Sequence, residues 1–209
     1  MTGLSHASHE SLGALETPAP RPLWSANFTF FFTARAIARL GDMMLPIALA
    51  VGLVQRGYGA GGVGLAMASF LACFAGFVAV GGVVADRLNP LRLMVSADAV
   101  RVLTQSLAAL LFISGAASLT AMCAIGAVNG TAAAFFQPGV ASTIPRIAHD
   151  VQRANGAIST AESVMAIAGP VVAGVLAGAI GVGGVFAVHA GIYLCSATCL
   201  SLLRLPALR

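Results

Sequence analysis

Three ionisable residues, Arg35, Arg39 and Asp42, stand in an otherwise apolar run at i, i+4 and i+7. That spacing puts all three on one face of an α-helix. A charge at membrane depth costs roughly 2.5–3.5 kcal/mol on insertion scales, so a stripe of three in a spanning helix faces a bundle interior or a water-filled cavity. The chemistry open to such a stripe is reversible protonation or ion binding at the Asp42 carboxylate, with the two guanidiniums beside it in a proton or substrate cavity. Arg35 and Arg39 can alternatively snorkel to headgroups. Asp42 is too short to do so and falls near mid-helix.

Other polar residues interrupt the later apolar runs. Asn129 and Gln137 lie in a charge-free run, and their amides need partners in hydrocarbon, so they are expected to face the same cavity or a neighbouring helix. Asp98 and Arg101, at i and i+3, can pair on one helix face, as a structural salt bridge or as a gating element; with Glu162 they form an expected buried charge network. His189 is alone in the last run, either a hydrogen-bonded core histidine or a proton relay. Cys73, Cys123, Cys195 and Cys199 sit in apolar windows without ligand spacing and read as packing residues. No metal, haem, disulfide framework or other cofactor is expected.

The elements that must position these side chains are membrane helices. The chain is 58% hydrophobic and 9% charged, against roughly 25% charged residues in a soluble domain. Six apolar runs, at about 28–54, 63–85, 93–113, 119–142, 155–180 and 185–203, approach the ~20 residues needed to cross a bilayer. The expected fold is therefore all-α, a six-helix transmembrane domain over residues 23–209. Residues 1–22 are polar, contain proline, and lack the layout of a cleavable signal peptide; a disordered cytoplasmic tail is expected there, with His6 and His9 solvated. Between the runs, Arg21, Arg87, Arg92, Arg146, Arg153, Arg204 and Arg209 fall on one side and Arg56 alone on the other. This asymmetry places both termini in the cytoplasm. It also accounts for the net charge of +4 without a nucleic-acid partner.

The short charged break between the second and third runs contains Gly82, Asp86, Arg87 and Arg92. It resembles the signature of the loop between helices 2 and 3 in the major facilitator superfamily of secondary transporters. It departs from that signature where Asn89, Pro90 and Leu91 replace a glycine and two basic residues. Gly82 is expected to let another helix approach closely, while Asp86 and Arg87 either pair and re-pair as a gate or end a helix in solvated charge. Arg39-Leu40-Gly41-Asp42 followed by Pro46 resembles the first helix of the drug- and siderophore-exporting branch, the enterobactin-exporter and macrolide-efflux group. Gly169-Pro170 with Gly174 resembles the Gly-Pro-x-x-x-Gly element of exporters, in which small residues allow close packing. Where many proton-coupled members carry an arginine in helix 4, this chain has Gly126, which leaves the charges of helix 1 as the coupling candidates.

The resemblance implies a 3+3 inverted repeat, each triplet opening with a helix that holds a polar cluster and a proline, Pro46 or Pro138. It also implies the first six of twelve helices, in the bacterial cytoplasmic membrane, acting in proton-coupled efflux of a small molecule. The partners expected are the lipid bilayer, that substrate, and a second six-helix half or a second copy of the chain. A non-transporting truncated product or partner-binding membrane protein of the same fold is the alternative. An intramembrane serine protease of the rhomboid kind would use His189, but Gly139-Val140-Ala141-Ser142 does not supply its Gly-x-Ser-Gly nucleophile.

Overall fold

Local chemistry at the helix starts sets the element boundaries in the computed structural model, which describes residues 24–148 and 150–203, apart from the side chain of Asp86. Ser25 accepts from the amide of Phe28 and opens α1 (Ala26–Gln55). Asn89 accepts from Leu91 with Pro90 in the first turn and opens α3 (Pro90–Ile113). Ser118 opens α4 (Leu119–Ile147), and Asp150 opens α5 (Val151–Ser201). Each such cap satisfies an amide that the first turn leaves without a partner. The glycine-rich start of α2 (Gly59–Arg87) has no side-chain cap. Several expected boundaries therefore shift: Asn89-Pro90 begins a helix, the glycines after residue 58 are helical, and α4 runs through Pro138 and Pro145 to Ile147.

Five helices, rather than six, are long and apolar enough to cross a membrane among the described residues. The difference lies in α5, whose 51 residues would measure about 76 Å if straight, against ~30 Å of hydrocarbon. It is not straight. Gly181 has φ 74° and ψ 168° and breaks the helical backbone, in a region of φ that glycine enters without steric penalty. Contacts on α1 show that the chain folds back there. A side-chain carbon at Gly41 would meet His189, while one at Gly169 would meet Met43. Residues 169 and 189 would stand about 30 Å apart along one straight helix, yet both touch the same turn of α1. One glycine makes the reversal that a longer Gly181 to Gly184 turn was expected to make.

Packing then follows pairs of helices: α1 on both arms of α5, α2 on α4, and α3 between α4 and α5. Small residues set these distances. At Gly130 an added carbon would run into the Phe70 carbonyl, and at Gly81 into the Ala134 carbonyl, so α2 and α4 touch backbone to backbone. The close approach expected at Gly82 is therefore made one residue earlier, because Gly82 faces open space. In the second glycine element, Gly169 is buried against Leu40 and Met43, whereas Gly174 is exposed and has no neighbour there. Pro170 lies inside α5. At one end of the bundle Arg56 donates to the carbonyls of Gly115 and Phe112, joining the α1–α2 turn to the end of α3.

The expected tail, residues 1–22, lies outside the described residues, as do His6, His9, Arg21, His149, Arg204 and Arg209.

Candidate functional site: a polar cavity between the helices

Asp42 reaches the centre of the bundle from α1, where Pro46 follows one turn later. Its Oδ1 accepts a 2.5 Å hydrogen bond from the hydroxyl of Tyr193, on the second arm of α5. Arg101 of α3 approaches the same oxygen at 3.8 Å and donates to the Tyr193 hydroxyl at 3.4 Å. A carboxylate, a guanidinium and a phenol from three helices thus converge on one oxygen. Tyr193 also lies face-on to Arg101, whose guanidinium carbon is 5.0 Å from the ring centroid, and its ring packs on His189 at 4.6 Å.

Asp98 and Arg101 do not pair as their spacing suggested. Asp98 is fully buried and accepts from Ser196 at 2.7 Å, while Arg101 extends towards Asp42. The helix neighbour competes with partners on other helices, and packing decides in favour of the latter. Glu162 belongs to a separate pair, 2.8 Å from Arg35, in an approach not aligned as a hydrogen bond. Phe136 of α4 joins the two groups: the guanidinium carbon of Arg35 is 5.7 Å from its ring centroid and that of Arg101 is 5.4 Å.

Beside this network is a cavity of about 290 Å³. Four of the expected cavity residues line it: Arg39, Asp42, Asn129 and Gln137. Arg35 does not, being held by Glu162. Asn129 donates to its own helix at Ile125 and accepts from Thr104 of α3. The aromatic wall comes from Phe70, Phe74, Phe186 and Tyr193. Gly126 also lines the cavity, and a side-chain carbon there would lie 3.1 Å from the Ala66 carbonyl. The second cavity arginine is Arg101, from α3.

Arg101, Gln105 and Tyr193 were not expected at the cavity, yet the sequence carried a signal for one of them. His189, Tyr193 and Ser196 repeat the i, i+4, i+7 spacing of Arg35, Arg39 and Asp42, and a tyrosine at membrane depth needs a partner for its hydroxyl.

Arg87 and Arg92 of the charged break are exposed, and Asp86 lies in the last turn of α2. Ser142 donates to Gly139 within α4, and His189 is buried between Gly41 and Tyr193. No described bond joins Ser142 to His189. The cysteines are free, and no cluster of metal-ligating side chains occurs among the described residues.

Comparison with known families assigns this architecture. The model of the Major Facilitator Superfamily matches residues 31–208. The chain belongs to that family. Its members are membrane transporters, so the chain is a multi-pass membrane protein of transporter type and its cavity lies in a transporter fold. No significant match to a curated protein accompanies the family assignment.

Proposed function

We propose that the chain is a six-helix half of a secondary active transporter of the drug- and siderophore-exporting branch, moving a small molecule out of a bacterial cell with its flux coupled to protons. The two arms of α5 are the fifth and sixth spans, giving two triplets related as a 3+3 inverted repeat. The observation that carries this reading is the environment of Asp42. Among the described residues it is the only carboxylate lining the cavity, and its oxygen is contested by a hydroxyl donor and a guanidinium.

Such a carboxylate can act as a switch. When it is ionised, Arg101 and Tyr193 are drawn to it. When it is protonated, the attraction to Arg101 falls and the guanidinium is free to turn to another acceptor. Proton uptake and solute binding are then linked through Arg101, which is the requirement for coupling. The exposed Arg87 and Arg92, with Gly82 and Asp86 of the same break, serve as the gating loop at the cytoplasmic end.

The test is Asp42→Asn in the complete transporting assembly. Gradient-driven export should fall to the uncoupled level while the protein stays in the membrane at wild-type abundance. Unchanged gradient-driven export by that variant removes Asp42 from the mechanism.

A further inference from the structure

Arg39 is the cavity arginine that the network does not use. Its Nε is buried without a hydrogen-bond partner, and no ion pair of Arg39 exists among the described residues. Away from the helix ends the described charges balance in number, with Arg35, Arg39 and Arg101 against Asp42, Asp98 and Glu162. At the cavity they do not. Glu162 is paired with Arg35, and Asp98 is fully buried, bonded to Ser196 and away from the lining. Two guanidiniums therefore line the cavity against one carboxylate, and Arg101 and Tyr193 already engage that carboxylate. A guanidinium offers five donors and accepts nothing, so the cavity has a surplus of both positive charge and donors, concentrated at Arg39.

Depth rules out simple snorkelling. Arg39 is 13 residues from the first residue of α1 and 16 from the last, or about 20 Å from one end and about 24 Å from the other. An unpaired cation there is costly unless something supplies an acceptor. Apart from the amides of Gln105, Asn129 and Gln137 the remaining walls are apolar, with Phe70, Phe74, Phe186 and Met67 among them, which suits a flat hydrocarbon body better than a sugar or a peptide.

We propose that the substrate is an organic anion, a small aromatic molecule bearing one carboxylate, with Arg39 as the residue that binds the carboxylate. This rests on the transporter reading and narrows it to a substrate class. Arg39 is left for the anion because Arg101 and Tyr193 already engage the Asp42 carboxylate. Because Asp42 carries like charge, its ionised form opposes the anion and its protonated form admits it.

The test uses the full chain in nanodiscs and three fluorescent probes of one shape and different charge: 2-naphthoate, 2-naphthylmethylammonium and 2-naphthalenemethanol. Binding is measured for the wild type, Arg39→Gln, Arg39→Lys and Asp42→Asn, with circular dichroism melts to verify folding. Naphthoate should bind tightest to the wild type. Arg39→Gln should weaken it by about tenfold or more, the scale of a lost charged hydrogen bond. Arg39→Lys should retain more affinity than Arg39→Gln, and Asp42→Asn should bind naphthoate more tightly than the wild type. If Arg39→Gln does not fold, the lysine and asparagine variants still decide. Preference for the ammonium probe, no preference by charge, no binding of any probe, or indifference to Arg39 each overturns the proposal. At high ionic strength, which screens the surface potential of the anionic lipid, nanodiscs of phosphatidylcholine alone and of phosphatidylcholine with phosphatidylglycerol should give the same naphthoate affinity. Loss of binding with the anionic lipid would make a headgroup the ligand of Arg39 and overturn the substrate assignment. Failure of naphthoate binding leaves the export test at Asp42 standing, and unchanged export by Asp42→Asn leaves the anion site standing.

Discussion

Tyr193 is the side chain through which α1, α3 and α5 meet, because one hydroxyl both donates to Asp42 and accepts from Arg101. Tyr193→Phe keeps the ring on His189 and beneath Arg101 but removes both bonds. The variant should fold with its stability lowered by about 1–3 kcal/mol, the range for a bond to a charged group, seen as a lower melting temperature in detergent. An unchanged melt would mean that the hydroxyl contributes nothing to holding the three helices. The spacing of Arg35, Arg39 and Asp42 was legible in the sequence because helical periodicity depends only on the chain itself. The involvement of Arg101 and Tyr193 was not, since a partner 92 residues away along the chain is fixed by which helices pack together. The same reason separates Asp98 from Arg101: their spacing allows a pair, but Ser196 and Asp42 are better placed.

At the scale of the helices, glycines decide how close two backbones come, and sequence alone does not say which glycine of a pair faces the neighbour. Gly81 and Gly82 differ by one residue and about 100° around the helix, so only Gly81 meets the Ala134 carbonyl of α4. Gly81→Ala should destabilise the protein by about 1–3 kcal/mol, because a backbone and not a flexible side chain must give way. Gly82→Ala should be neutral to within roughly 0.5 kcal/mol. Thermal melts of the two purified variants distinguish them, and equal melting temperatures would refute the backbone contact. All six apolar runs were legible as helices or parts of them, because length and hydropathy suffice. The boundary at Gly181 was legible only as a turn-rich region, since glycines at 181, 183 and 184 are equally able to break a helix and packing selects the first. Asn89-Pro90 was read as loop although an asparagine followed by proline is also a helix start.

For the whole molecule, the two open questions are orientation and completeness. Arg56 binds the α3 end at one face of the bundle, and Arg87, Arg92 and Arg153 belong to the turns at the other. By the positive-inside rule the latter face is expected in the cytoplasm. A cysteine at Gly59 should react with an impermeant thiol reagent in intact cells, and one at Leu88 should not, in a background without the native cysteines; the opposite pattern would invert the topology.

Completeness turns on what covers the outer faces of this bundle. On α2 the exposed residues include Leu65, Leu71, Phe77 and Val83, and on the first arm of α5 they include Val164, Ile167, Val171 and Val175. Lipid can cover such faces without penalty, so they do not by themselves demand a partner. The cavity is the argument for one: Gln137 is exposed, Arg39 is half-buried without a partner among the described residues, and both border the same space. Opening that space to hydrocarbon would cost several kcal/mol, whereas a second six-helix half or a second copy would enclose it and supply the other wall of an alternating-access site. Reconstituted by itself, the chain is therefore expected to form a species larger than the monomer and to show no gradient-driven flux, with flux appearing when a partner half is co-reconstituted. Mass measured in detergent by light scattering, together with a proton-flux assay in liposomes, checks both expectations. A strictly monomeric chain that catalyses gradient-driven flux would mean that one bundle encloses its own pathway.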